Sequence, residues 1–163
     1  MTVGRRDAPY NRTMSTALYQ QIVLEHYRHP RNRGQLDGCT HAADGVNASC
    51  GDALRVELEC TADARVAAMR FSGEACAIAI ATASMLSERI AGVDAAGVGD
   101  LMRRFERVIA DGGDDATLGP LNALGELQRH PARRKCALLP WAALRAALAG
   151  EGHISTEQST EGS

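Results

Sequence analysis

Aromatic side chains are scarce in this sequence of 163 residues: one Trp, two Phe and three Tyr. A core built on stacked rings is therefore excluded, and the interior must close around aliphatic chains and abundant Ala, which lets helices approach closely. Long apolar runs are missing too. None nears the roughly 20 residues that span a bilayer, so no membrane segment is expected. Neither charge dominates: 18 basic residues face 20 acidic ones, for a net charge of −2. That balance argues against a nucleic-acid binder, which carries a basic excess or stripe. The first residues hold Arg5, Arg6 and Arg12 without an apolar stretch behind them, so they are not expected to act as a secretory signal. His26, His29, His41, His130 and His153 show no zinc-finger spacing and are expected as surface polar groups.

Hydrophobic residues make up 45% of the chain, enough to bury a core. The organised pattern starts at Met14, and residues 1–13 read as a disordered leader. Ser15 can cap a first helix to about Tyr27, with Leu18, Ile22 and Val23 facing inward, and His29-Pro30 ends it. Residues 31–49 are rich in Gly, Asn and Asp and read as loop with at most one short edge strand. From Asp52 the period changes to two: Leu54, Val56, Leu58 and Cys60 alternate with Arg55, Glu57 and Glu59. Thr61-Ala62-Asp63 turns the chain into a second arm, Val66 to Phe71, which Gly73 is expected to break. Helices follow from Cys76 to Ile90, from Asp94 to about Ile109, over Leu121 to Gln128, and from about Cys136 to Ala149. In the last, Pro140 suits a first-turn position. Residues 151–163 read as a disordered tail. The order gives one α+β domain over 14–150: a small antiparallel sheet of about three strands with helices packed on one face.

Five cysteines stand at positions 39, 50, 60, 76 and 136. An odd, scattered set argues against a disulfide framework and for a reducing, cytoplasmic setting, where metal or thiol chemistry is the better prior. In Asn47-Ala48-Ser49-Cys50-Gly51-Asp52, Gly51 allows a tight turn that brings Cys50 and Asp52 toward one centre. Cys76 sits where a strand exit becomes a helix, and the helix's free N–H groups favour a thiolate there. Cys136 follows Arg133-Arg134-Lys135 at the entry to the last helix, where nearby cations act the same way. Cys60 shares the inward parity of its strand and reads as core; Cys39 lies in a loop with no assigned role. Three Cys and one Asp would make a four-coordinate site that suits zinc or an iron–sulfur cluster, with the Asp oxygen as its weakest bond.

Several motifs together resemble the SufU branch of the IscU/NifU-like assembly proteins. They are Leu18-Tyr19 through His26-Tyr27 to Pro30-Arg31-Asn32, Cys50-Gly51-Asp52, and Phe71-Ser72-Gly73-Glu74-Ala75-Cys76-Ala77-Ile78. Ala83-Ser84-Met85, Leu118-Gly119 with Leu121, and Pro131-Ala132-Arg133-Arg134-Lys135-Cys136-Ala137-Leu138 leading into Trp141 complete the set. The resemblance implies metal ligands at Cys50, Asp52, Cys76 and Cys136. It also implies a SufU-like insertion over 111–129, and Lys135 stands where IscU proteins carry His. Ala48 and Ala75 depart from the family's usual Pro and Gly, and a positive φ at Ala75 would strain the loop.

On this resemblance the chain is expected to act in iron–sulfur cluster assembly. It would be a zinc-bound sulfur acceptor for a pyridoxal-phosphate cysteine desulfurase of SufS type, passing sulfur to downstream assembly proteins. Cys50 is the expected acceptor, with Arg133 and Lys135 as auxiliary groups, no independent catalysis, and a monomeric or weakly dimeric state. The alternatives are a scaffold that builds and releases a labile [2Fe–2S] or [4Fe–4S] cluster on the same ligands, and a structural zinc module.

Overall fold

The computed structural model describes residues 3–156, with side chains from Thr16 onward. Helix α1 (Val3–Arg28) precedes strands β1 (His41–Asn47), β2 (Asp52–Cys60) and β3 (Val66–Glu74). Helices α2 (Ala77–Arg89), α3 (Ala95–Asp111) and α4 (Arg134–Leu148) follow, then a short strand β4 (His153–Ser155). The sheet order is β3-β2-β1-β4, antiparallel across the first three strands and parallel between β1 and β4. The α+β class holds, with four strands in a mixed sheet instead of about three.

Alternation along β2 sets the two faces of the sheet. Leu54, Val56 and Leu58 are buried, while Arg55 points to solvent and pairs with Asp44 and Glu57 at 3.3 and 3.0 Å. Helix α4 packs on β1 and β2, and α2 on β3. Asp94 caps α3 by accepting from the Gly97 N–H at 2.8 Å, and Phe105 of α3 meets Trp141 of α4 with ring centroids 5.2 Å apart. Helix α1 is tied to α2 by buried polar contacts. His26 Nδ1 lies 2.7 Å from Ser84 Oγ, which also accepts the Arg31 N–H, and Asn32 Nδ2 donates to Ser87 Oγ. His26 is thus buried, not the surface group expected; its burial, aided by Arg31, lowers its pKa and favours the neutral ring.

Four local expectations change. Helix α1 starts at Val3, not at a Ser15 cap, and runs on through Ser15 to Arg28. The expected leader over 1–13 is therefore helical from Val3, and Met1 and Thr2 lie outside the described residues. Over 31–49, expected as loop with at most one short edge strand, β1 lies inside the sheet between β2 and β4, and its inward positions, Ala43, Gly45 and Asn47, are too small or polar to signal a strand. They are small because α4 lies close: a Cβ on Gly45 would meet Leu139 Cδ1 at 3.1 Å. The start of the expected tail forms β4, whose backbone pairs with β1; the Asp44 N–H donates to the Gly152 carbonyl at 2.9 Å. Residues 157–163 lie outside the described residues. Finally, Pro140 sits buried in the interior of α4, beyond its first turn.

Gly73 does not break β3; it pairs with Leu54 inside the ladder. Its φ is +113°, and a Cβ there would stand 2.3 Å from the Ala53 carbonyl oxygen. Backbone cannot yield as a flexible side chain can, so Gly73→Ala should lower the unfolding free energy by about 2–4 kcal/mol. Denaturant titration of both proteins reads this directly, and an unchanged midpoint would contradict it.

Candidate metal centre

Three chain entries converge at one end of the sheet. Asn47 and Asp52 face each other as the closing pair of the β1–β2 connection, so Cys50 sits near the tip of a short turn. Residues Ala48–Cys50 form a single 3-10 turn, and Gly51 follows with φ +73°, a conformation glycine adopts without strain. The Gly51 N–H closes that turn on the Ala48 carbonyl at 3.2 Å. Cys50 is exposed as a result, whereas Asp52, the first inward residue of β2, is only 2% exposed.

Cys76 holds the N-cap position of α2 in extended conformation. Its own N–H donates to Asp52 Oδ1 at 2.9 Å, joining the start of β2 to the start of α2. Ala75 has no positive φ, so the departure from the family's Gly costs no backbone strain; among described non-Gly residues only Asn32 and Ala64 do. Cys136 lies in the first turn of α4, 1% exposed, with its Sγ 3.7 Å from Cys50 Sγ. The segment before it leads there: Ala116–Arg129 winds as 3-10 turns kinked at Gly119, burying Leu118, Leu121, Leu124 and Leu127. Asp115 anchors its start. Hydrogen bonds from Thr117 and the neighbouring Arg104, 3.0 Å away, hold this carboxyl down at about 2.

The ligand atoms of Cys50, Asp52 and Cys136 all lie within 4.8 Å of one another. Cys76 falls outside that trio and joins through Cys136, with which it is electrostatically coupled. The hydrogen bond from Cys136 lowers the Cys76 pKa to about 6; burial opposes the shift, and the Ala79 N–H at the helix start supports it. The same bond, with burial, pushes the Cys136 thiol up. Without metal, the negative charge is therefore favoured on Cys76 over Cys136.

The donor set fits a metal ion. Asp52 Oδ2 is buried without a hydrogen-bond partner, an arrangement that is costly for a carboxylate unless a cation is to be met there. The four groups that could hold the ion are Cys50, Asp52, Cys76 and Cys136. The other expected residues stand apart. Cys39 is exposed and donates to the His41 carbonyl, and Cys60 is half-buried at the end of β2, where the register shifts. Arg133 is exposed at the end of the turn Pro131–Arg133, where its charge acts on half-buried Tyr19. Lys135 lines a cavity of about 460 Å³ with Met102, Glu106, Leu138 and Arg145, between α3 and α4. Asn47, named in the Cys50 motif without a role, is wholly buried at the end of β1, opposite Asp52.

The model of the NifU-like N-terminal domain family matches residues 18–150. The zinc-dependent sulfurtransferase SufU of Bacillus subtilis is 35% identical over 144 residues, covering 87% of this chain and 96% of that protein. The iron–sulfur cluster assembly scaffold protein IscU of Thermotoga maritima is 31% identical over 132 residues, covering 80% and 92%. A protein of Fervidobacterium islandicum AW-1, described as an iron–sulfur cluster assembly scaffold for the SUF system, superposes with a TM-score of 0.74. It is 26% identical and covers 81% of this chain and 97% of its own.

The opposite shifts of Cys76 and Cys136 have a measurable consequence. In metal-free protein, iodoacetamide should modify Cys76 ahead of Cys136, with a rate that rises through about pH 6. Peptide mapping across pH reads the order, and modification of Cys136 first would contradict it.

Proposed function

The chain belongs to the NifU-like N-terminal domain family, and from that premise we propose that it serves iron–sulfur cluster assembly as a zinc-bound sulfur acceptor. The donor is the persulfide of a pyridoxal-phosphate cysteine desulfurase. The observation that carries this reading is the contrast within one cluster: an exposed Cys50 beside a buried Asp52 and a buried Cys136. The 35% identity to a zinc-dependent sulfurtransferase, across nearly the full length of both chains, supports the choice of metal and reaction.

A zinc ion held by Cys50, Asp52, Cys76 and Cys136 would keep the thiols deprotonated at neutral pH. The chain's own residues then divide the work. Cys76 and Cys136 are fixed at helix starts and remain in place. Cys50 rides on a short turn open to solvent, so its sulfur can reach a donor's persulfide. Its thiolate attacks the outer sulfur, the donor's S–S bond breaks, and the donor leaves as a thiolate. Arg133, exposed one turn before Cys136, is suited to steer an anionic partner surface. Lys135 faces the α3–α4 cavity and is less suited. No helix among the described residues is long and apolar enough to cross a membrane, and the thiol-dependent chemistry fits a reducing compartment such as the cytoplasm.

A second reading keeps the same ligands and makes an iron–sulfur cluster the cargo, with the oxygen donor of Asp52 favouring its release. The 31% identity to an IscU scaffold supports it.

Native and peptide mass spectrometry, after incubating zinc-loaded protein with cysteine and an active desulfurase, separates the two readings. The acceptor reading predicts added sulfur on the Cys50 peptide with zinc retained, and no uptake by Cys50→Ala. Absence of sulfur from every cysteine would sink it in favour of the scaffold.

A further inference from the structure

Two of the five cysteines take no part in the metal centre, and the fold brings both to the opposite end of the hairpin that carries Cys50. Strands β1 and β2 pair from Asn47 with Asp52, beside the Cys50 turn, to His41 with Leu58. Contact continues past that last pair. The Thr40 N–H donates to the Leu58 carbonyl at 2.8 Å, and the Cys60 N–H donates to Thr40 Oγ1 at 2.9 Å. Counted two residues beyond His41 and Leu58, the antiparallel register falls on Cys39 and Cys60. Residues opposed in this way stand about 4.5–5.5 Å apart at Cα, inside the roughly 4.4–6.8 Å range of a disulfide.

The two thiols differ in access. Both are free; Cys39 is exposed, and its sulfur donates to the His41 carbonyl at 3.1 Å. An S–H group is a weak donor, so rotation of this side chain toward β2 gives up little. Cys60 is half-buried and packs against the core at the end of β2. An oxidant arriving from solvent therefore meets Cys39 first, with Cys60 opposed to it on the neighbouring strand. The metal centre is remote, because the length of β1 from His41 to Asn47, about 20 Å of strand, lies between the two ends.

We propose that Cys39 and Cys60 are a redox-active dithiol, a second thiol site that low-molecular-weight disulfides oxidise to an intramolecular bond. The Cys39 thiolate attacks a disulfide R–S–S–R; one S–S bond forms as the other breaks, and R–S⁻ leaves with the electron pair. The Cys60 thiolate then attacks the Cys39 sulfur of the mixed disulfide and expels the second R–S⁻. Two protein thiols are oxidised, one small disulfide is reduced to two thiols, and the two protons pass to the departing thiolates. The new bond closes the open end of the hairpin whose tip carries Cys50 and Asp52, and it leaves the four candidate ligands untouched. In a reducing compartment such a bond is transient and responds to oxidant.

The test incubates zinc-loaded full-length protein with glutathione disulfide, stops the reaction by alkylation and maps the peptides by mass spectrometry without reduction. Linked Cys39 and Cys60 peptides should dominate in the monomer, with zinc content unchanged, and dithiothreitol should reverse the link. In Cys60→Ser the glutathione adduct should stay on Cys39, roughly tenfold above its wild-type level, because no thiol resolves it. Cys60→Ala is read in the same way, and zinc content checks that each variant is folded. In Cys39→Ser, Cys60 should remain largely unmodified. A lasting glutathione adduct on Cys39 in wild type, no modification of Cys39 at all, or Cys39 linked to Cys50, Cys76, Cys136 or a second copy would overturn the proposal.

Discussion

A single hydrogen bond organises this end of the molecule: the Cys76 N–H donating to Asp52 Oδ1 at 2.9 Å. Asp52 begins a strand and is almost wholly buried, where an ionised carboxylate is expensive unless something compensates it. The start of α2 supplies part of that compensation, through one N–H and the positive end of the helix. It also ties β2 to α2, elements separated in sequence by all of β3. Only one carboxylate oxygen is used. The other is buried and open, and it shares its surroundings with the Cys50 and Cys136 sulfurs. The bond therefore both tolerates the charge and aims it.

The remaining geometry follows from where each cysteine meets its element. Cys76 and Cys136 stand at helix starts, where free N–H groups and packing fix them. Cys50 stands on a turn that only Gly51, in left-handed conformation, lets fold back. Two anchored sulfurs, one anchored oxygen and one exposed sulfur make an unequal set. A purely structural metal site has no use for that inequality; a site that must give one ligand to an incoming sulfur does. The helices behind the site supply the rigidity: Phe105 against Trp141, and α1 held on α2 through His26 and Ser84.

Where side chains declare a period or a chemistry, the sequence was readable. The alternation of β2, the Asp94 cap, the helical order and the three separated cysteines with Asp52 all follow from residue type and spacing. The family resemblance then joined the cysteines into one set. Harder to read were elements whose cause lies elsewhere in the chain. Strand β1 carries Ala43 and Gly45 inward because α4 presses on it, so its pattern looks like loop. Strand β4 exists because β1 offers an open edge, and nothing in His153-Ile154-Ser155 announces that. Gly73 looks like a breaker until the Ala53 carbonyl is seen 2.3 Å from where its Cβ would be. The burial of Asn47 depends on the closing pair it makes with Asp52, a contact that local spacing does not reveal.

One mononuclear site would take three sulfur donors and one oxygen donor from Cys50, Cys76, Cys136 and Asp52. Zinc K-edge X-ray absorption on the zinc-loaded protein measures that shell directly. Three sulfurs at about 2.3 Å and one oxygen at about 2.0 Å are expected, with the oxygen contribution altered in Asp52→Ala. A shell of four sulfurs, or one unaffected by Asp52→Ala, would contradict it.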